Sequence, residues 1–248
     1  MSLERHRHDW EELAAFDPLW AVLTQPGKRG GGWDRDEFFA TGETEIAAVL
    51  EAAESLGLPR QRRRALDFGC GAGRLTRALA GHFATAVGVD ISERMVETAR
   101  RLNEDVAGAE FCVNTSPDLR QFEDGAFDLA YTSLVLQHIP RDLVEGYVVE
   151  LLRVTAPGGL LVFGLPDRIS WPYRLGLTRR LYGLLRLAHV ADETILRRTP
   201  LTPMRMSAVP EPRIRGLVTS LGGRVLHEEP SEGGGVHTLR YFVTPARD

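Results

Sequence analysis

Between Ala65 and Arg74 a short apolar run carrying an acid, Ala65-Leu66-Asp67-Phe68, leads into Gly69, Gly71 and Gly73 at alternate positions. The next residues, Arg74 to Ala80, read as a helix, so the glycines stand between a strand and a helix N-terminus. A residue without Cβ lets the backbone turn sharply and approach a ligand closely. In open α/β sheets this junction is where a nucleotide-like ligand is held. A plain turn would not need three glycines in five residues.

From Ala65 onward strand and helix patterns alternate. The sequence predicts strands over 65–68, 86–90, 109–114, 127–132 and 159–165, with helices over 74–83, 92–105 and 140–155 and a short turn near 117–121. Pro140 suits a first helical turn, where its missing N–H would be unpaired anyway. Helix 210–221, strand 224–229 and strand 237–244 follow, the last two as an antiparallel hairpin around Gly233-Gly234-Gly235. The expected fold is α/β: a Rossmann-like, doubly wound, seven-stranded and mostly parallel sheet with an antiparallel last strand. Four segments are expected. They are an N-terminal helical cap (1–60), the core (61–165), a lid or substrate insertion (166–209) and a helix with a β-hairpin completing the sheet (210–248). In the cap, Glu43 to Leu56 reads as the longest helix, ended by Gly57 and Pro59.

At 248 residues the chain is long enough for one large domain. No run of 18 apolar residues is present, so no transmembrane segment is expected. Cys70 and Cys112 are the only cysteines, too few for a disulfide scaffold or a cysteine-rich zinc site. Both read as small buried fillers, and with a charged N-terminus the expected compartment is the cytoplasm. A net charge of −4 argues against nucleic acid as a partner. Lys28 is the only lysine, which removes a phosphate-binding Gly-Lys-Ser/Thr loop.

Four motifs in order carry a family resemblance. They are Asp67-x-Gly69-x-Gly71-x-Gly73; Val87-Gly88-Val89-Asp90-Ile91-Ser92 with Met95; Phe127 to Ser133 running to Gln137-His138-Ile139-Pro140; and Leu151 to Gly159. Together they resemble the class I S-adenosylmethionine-dependent methyltransferases of the small-molecule type. The resemblance implies S-adenosylmethionine as cofactor, S-adenosylhomocysteine as product, and no metal. It implies cofactor contacts from Asp67, Gly69, Cys70, Gly71 and Gly73 in the first loop, and from Asp90, Ile91 and Met95 after the second strand. Asn114, Thr115 and Ser116 after the third strand and Ser133 and Leu134 after the fourth complete the set. An acid often found after the third strand is replaced here by Asn114-Thr115-Ser116. Asp90 at a strand end can accept hydrogen bonds from both ribose hydroxyls.

Two other readings share parts of this pattern. A nicotinamide-dependent oxidoreductase shares the glycine turn, but its third glycine falls on Arg74 here. A non-catalytic scaffold or partner subunit could retain the fold without turnover. For an enzyme, methyl transfer to O or N of a small, secondary-type metabolite is expected, by in-line displacement. His138 is the candidate general base, with capping of the loop before Pro140 as its alternative role. His189 and His237 are second choices. Trp10, Trp20, Trp33, Phe38 and Phe39 are candidates to line an acceptor pocket, with Trp171 and Tyr173 from the other side. Residues 166–209 hold eight arginines against three acids. That suits an acidic acceptor, a solvated helix, a dimer contact or membrane lipid. The chain is expected as a monomer or homodimer.

Overall fold

The structure is a computed structural model describing residues 3–245, so the first two and last three residues of the outer segments lie outside it. Its centre is a seven-stranded sheet built from β1 (Arg64–Phe68), β2 (Thr85–Asp90), β3 (Ala109–Val113), β4 (Phe127–Thr132), β5 (Thr155–Ile169), β6 (Arg224–Gly233) and β7 (Val236–Thr244), in the order β3-β2-β1-β4-β5-β7-β6. Strands β1 to β5 pair in parallel, and β7 runs antiparallel to both β5 and β6. The order reverses between β1 and β4, and a crevice opens there at the strand C-termini, the usual ligand position in such sheets.

Alternation along the strands feeds two cores. Leu66, Ala130, Leu161 and Phe163 face one layer, covered by α6 (Arg141–Val154) and α10 (Glu211–Ser220). Ala65, Leu129, Leu160 and Val162 face the other, covered by α3 (Arg35–Ser55) and α4 (Arg74–Ala80). Successive residues of a strand point to opposite faces, so a sheet buried on both sides reads as a continuous apolar run.

Several boundaries depart from expectation, among them α4 ending at Ala80 rather than 83, β5 beginning at Thr155 rather than 159 and β6 running to Gly233 rather than 229. The longest N-terminal helix starts at Arg35 rather than Glu43, because the Asp34 carboxylate accepts the Glu37 N–H at 3.0 Å and caps it. Gly42 sits inside this helix for steric reasons: a Cβ there would lie 2.5 Å from the Arg74 carbonyl oxygen. Strand β5 continues past 165 to Ile169, since β7 pairs along its whole edge as far as Ile169 opposite Val236. The ladder shifts register between Pro166 and Arg168, which accommodates the proline. The short turn expected near 117–121 closes at its end, where the Phe122 N–H donates to the Leu119 carbonyl at 2.9 Å, and the Arg153 guanidinium donates to the Leu119 and Phe122 carbonyls and holds it.

Two further helices precede α3, namely α1 (Leu3–Phe16) and α2 (Pro18–Val22), and α5 (Glu93–Leu102) joins β2 to β3. Residues 166–209 hold α7 (Trp171–Leu175), α8 (Leu177–Leu187) and α9 (Asp192–Arg198), then an irregular stretch to Pro210.

Candidate active site

The glycine turn after β1 is built from close contacts. Gly69, Gly71 and Gly73 have φ of +78°, +51° and +83°, where any side chain is strained. A Cβ on Gly69 would lie 2.3 Å from Val135, and one on Gly71 would lie 2.2 Å from Val22. Both the Gly69 and Cys70 N–H groups donate to the Val89 carbonyl, at 2.7 and 2.9 Å, tying the turn to β2. Beneath it, the Thr76 hydroxyl donates to Asp67 at 2.6 Å. Burial pushes the Asp67 carboxyl up to about 7, against the pull of Thr76 and Arg74.

At the end of β2 the Asp90 carboxylate accepts the Gly71 N–H on one oxygen and the Ser92 N–H on the other, both at 2.9 Å. Burial raises this carboxyl to about 6, with the two backbone donors opposing the rise. Each oxygen keeps a lone pair for a ligand hydroxyl. Ser92 also caps α5 by accepting the Met95 N–H at 3.2 Å, which places Met95 one turn above Ile91.

These parts face one cleft. Gly69, Gly71, Asp90, Ile91, Met95 and Asn114 line its side along the ends of β1, β2 and β3, while Ser133, Leu134 and His138 line the part beyond β4. Leu134 holds φ of +61°, an unusual backbone for a branched residue, at the point where the chain leaves β4. Asp67, Cys70, Gly73, Thr115 and Ser116 do not reach the cleft wall. Asp67 and Cys70 are buried below the turn, and burial drives the Cys70 thiol well above its ordinary value, so it is an inert filler. Gly73 starts α4. Ser116 donates its N–H to Asn114 and accepts the Tyr147 hydroxyl on its carbonyl, so it shapes the loop from behind.

His138 sits where β4 hands over to α6. Its Nδ1 lies 2.5 Å from the Arg205 carbonyl oxygen. A carbonyl only accepts, so Nδ1 carries the proton and Nε2 keeps its lone pair, approached at 3.1 Å by the Gln137 amide nitrogen. Burial lowers the imidazole below its ordinary value, with the Arg205 carbonyl opposing, so the ring is neutral at pH 7.

The N-terminal helices line the cleft through Trp10, one of the five aromatics expected there, and through His6, Ala21 and Val22, which were not expected. Trp10 crosses edge-on to His138 with ring centroids 5.7 Å apart, and His6 lies one turn before it on α1. Burial first, then His138 and Arg205, push His6 down to about 4. The i, i+4 spacing of His6 and Trp10 was the available signal, since such pairs share a helix face. Of the aromatics expected in the pocket, Trp20, Trp33, Phe38 and Phe39 instead form the buried core under the cap. Trp171 and Tyr173 point to solvent, because the hairpin carrying them packs through other side chains. His189 is exposed, and His237 is engaged by Asp167. From 166–209 it is the irregular stretch that touches the site, through Arg205 on His138 and the Ser207 N–H on the Gln137 carbonyl at 2.6 Å.

A second set of groups locks the cap to the core. Arg74, buried, donates to Glu45 of α3 at 2.8 Å, and the Tyr131 hydroxyl donates to the same carboxylate at 2.6 Å. Burial opposes ionisation of Glu45, yet Arg74 and the hydroxyls of Ser133 and Tyr131 hold it below its ordinary value. One trio of metal-ligating side chains occurs among the described residues, His8, Glu12 and Asp192, but Asp192 already takes Tyr182 and Arg186.

A sheet in this order, with a glycine turn after β1, an acid ending β2 and an antiparallel β7, is the fold of the class I S-adenosylmethionine-dependent methyltransferases. Residues 66–163 of this chain match the methyltransferase domain family. It is 31% identical over 127 residues to a ubiquinone biosynthesis O-methyltransferase of Thiobacillus denitrificans, covering 51% of this chain and 54% of that one. It is 33% identical over 156 residues to a trans-aconitate 2-methyltransferase of Methylobacterium nodulans, covering 61% and 56%. The chain thus spans about half the length of such curated relatives. In fold it is similar to the magnesium protoporphyrin IX methyltransferase of Synechocystis with bound SAH, with a TM-score of 0.66, 18% identity, and 99% and 100% of the two chains covered.

Proposed function

We propose that this protein binds S-adenosylmethionine in the cleft and transfers its methyl group to an oxygen or nitrogen of a small-molecule acceptor. The observation that carries the reading is the convergence of Gly71, Asp90 and His138 on one cleft. Gly71 has no room for a Cβ, and Asp90 still has lone pairs to offer. Asp90 receives the ribose hydroxyls, Ile91 and Met95 flank the adenine, and the backbone of Gly69 and Gly71 borders the methionine portion. The names of the relatives and the SAH bound in similar structures support the same donor.

When bound, the sulfonium supplies an activated methyl group whose leaving sulfur needs no protonation. The chain's own residues then have three tasks: hold the acceptor in line, exclude water, and take its proton. His138 Nε2 is the proton acceptor in this reading. The new bond forms between the acceptor heteroatom and the methyl carbon as the carbon–sulfur bond breaks, and the acceptor's proton replaces the Gln137 amide on Nε2. Residues 1–60 act as the cap over the acceptor, and the stretch near Arg205 orients His138. Two unpaired cysteines fit a cytoplasmic setting.

The test is calorimetric binding of S-adenosylhomocysteine, followed by turnover of labelled S-adenosylmethionine across a panel of hydroxyl and amine acceptors. Absence of binding would overturn the cofactor assignment. Tight binding with no transfer to any acceptor class would favour the scaffold reading.

A further inference from the structure

Among the described residues, nine large apolar or aromatic side chains are exposed, and seven of them fall between Trp171 and Leu187. Helix α8 explains the concentration. Its docked side packs Tyr182 and Leu185 on the core under the cap and is fixed by polar contacts: the Tyr182 hydroxyl donates to Asp192 at 2.8 Å, and Arg186 donates to Asp9 of α1 at 2.6 Å and to Asp192. Its opposite side carries Leu177, Leu181 and Leu184 at i, i+4 and i+7, which share one face at 100° per residue. The helix thus turns a second, unpaired apolar stripe outward. Leu184 is 60% and Leu187 78% exposed, and Trp171 on the preceding α7 is 67% exposed. Such a contiguous apolar patch on a folded surface marks a contact face.

Charge identifies the partner. The segment 166–209 carries eight arginines against three acids, a net of +5 in a chain whose total is −4. All three acids are engaged: Asp167 with His237, Asp192 with Tyr182 and Arg186, Glu193 with Arg197. Arg180 is exposed and lies in angle between Leu184 and Leu187, inside the apolar stripe. A second copy docked through the same stripe would bring this basic segment against itself, while the segment's three acids are already engaged. Anionic lipid headgroups meet it favourably, while the leucines and Trp171 enter the headgroup–acyl boundary. We infer that the α7–α8 hairpin docks the protein on an anionic phospholipid surface, lying in the interface.

The inference does not depend on the methyl-transfer reading. The full-length protein is floated with phosphatidylcholine vesicles and with vesicles that also contain phosphatidylglycerol. Binding to the anionic vesicles is expected, about tenfold or more weaker on phosphatidylcholine alone, and weakening as salt is raised. Leu181→Glu/Leu184→Glu, at exposed positions, should cut vesicle binding by about tenfold or more while thermal unfolding stays unchanged. Trp emission should shift to the blue on binding, and Trp171→Phe should remove that shift. Failure of the wild-type protein to float with anionic vesicles would overturn the inference. So would a wild-type dimer that Leu181→Glu/Leu184→Glu converts to monomer, since the stripe would then be a subunit contact.

Discussion

Asp90 joins two functions in one carboxylate: it closes the glycine turn through the Gly71 N–H and faces the cleft. Replacing it with alanine should weaken S-adenosylhomocysteine binding by about 1–3 kcal/mol, the scale for losing a charged hydrogen-bonding group, as read by calorimetry. Its carboxyl is raised to about 6, so affinity should be level above about pH 7 and fall as pH drops through 6, by at most about tenfold per unit. A flat profile from pH 5 to 8 would remove Asp90 from the ribose. Asp67 carries the same sign into stability. Its folded value of about 7 lies above the ordinary 3.8, so its favourable contribution is complete below pH 4 and is lost as pH rises through 7. Urea midpoints of the wild type minus those of Asp67→Asn should therefore decline across that window. Asp90 and the glycines beside it were legible in the sequence because their placement is local, a strand end, a turn and a positive φ, whereas Asp67, expected at the ligand, is buried below the turn by packing.

The helices above the turn were less legible. Val22 of α2 lies where a Cβ on Gly71 would go, and Trp10 of α1 lies edge-on to His138. Nothing in the order of residues 1–22 says which of five aromatics reaches the cleft, since that depends on how α1 and α2 lean on the core. The same holds for α8, whose apolar stripe was visible in the spacing while its outward direction was not. Direction is set by Asp9 and Asp192, far from it in sequence or on another helix. At this scale Gly71→Ala should abolish stabilisation by S-adenosylhomocysteine in thermal unfolding. Adding Val22→Ala should restore part of it by removing the 2.2 Å collision while leaving the strained φ. Trp10→Ala should lower turnover with little change in S-adenosylhomocysteine affinity, because the ring borders His138. An equal loss in both would place Trp10 in the cofactor site instead.

For the whole molecule, a ligand held by the turn, β2 and the cap should stabilise the folded state as a unit. S-adenosylhomocysteine at a hundredfold excess over its dissociation constant should add about 2.7 kcal/mol to unfolding, seen as a concentration-dependent melting temperature. Parallel strands and crossovers were readable from the alternation of elements, because local period and connection handedness leave few arrangements. The length of β5 was not, because its last residues are strand only through their partner β7. That partnership has a consequence during synthesis. Residues 236–244 are made after β6, yet they fill the gap between β5 and β6, so the growing chain holds an open β5 edge until they emerge and pair. A chain stopped after Gly235 should accordingly accumulate in the insoluble fraction, and yield in cells should depend on how quickly residues 236–244 are delivered to the β5 edge.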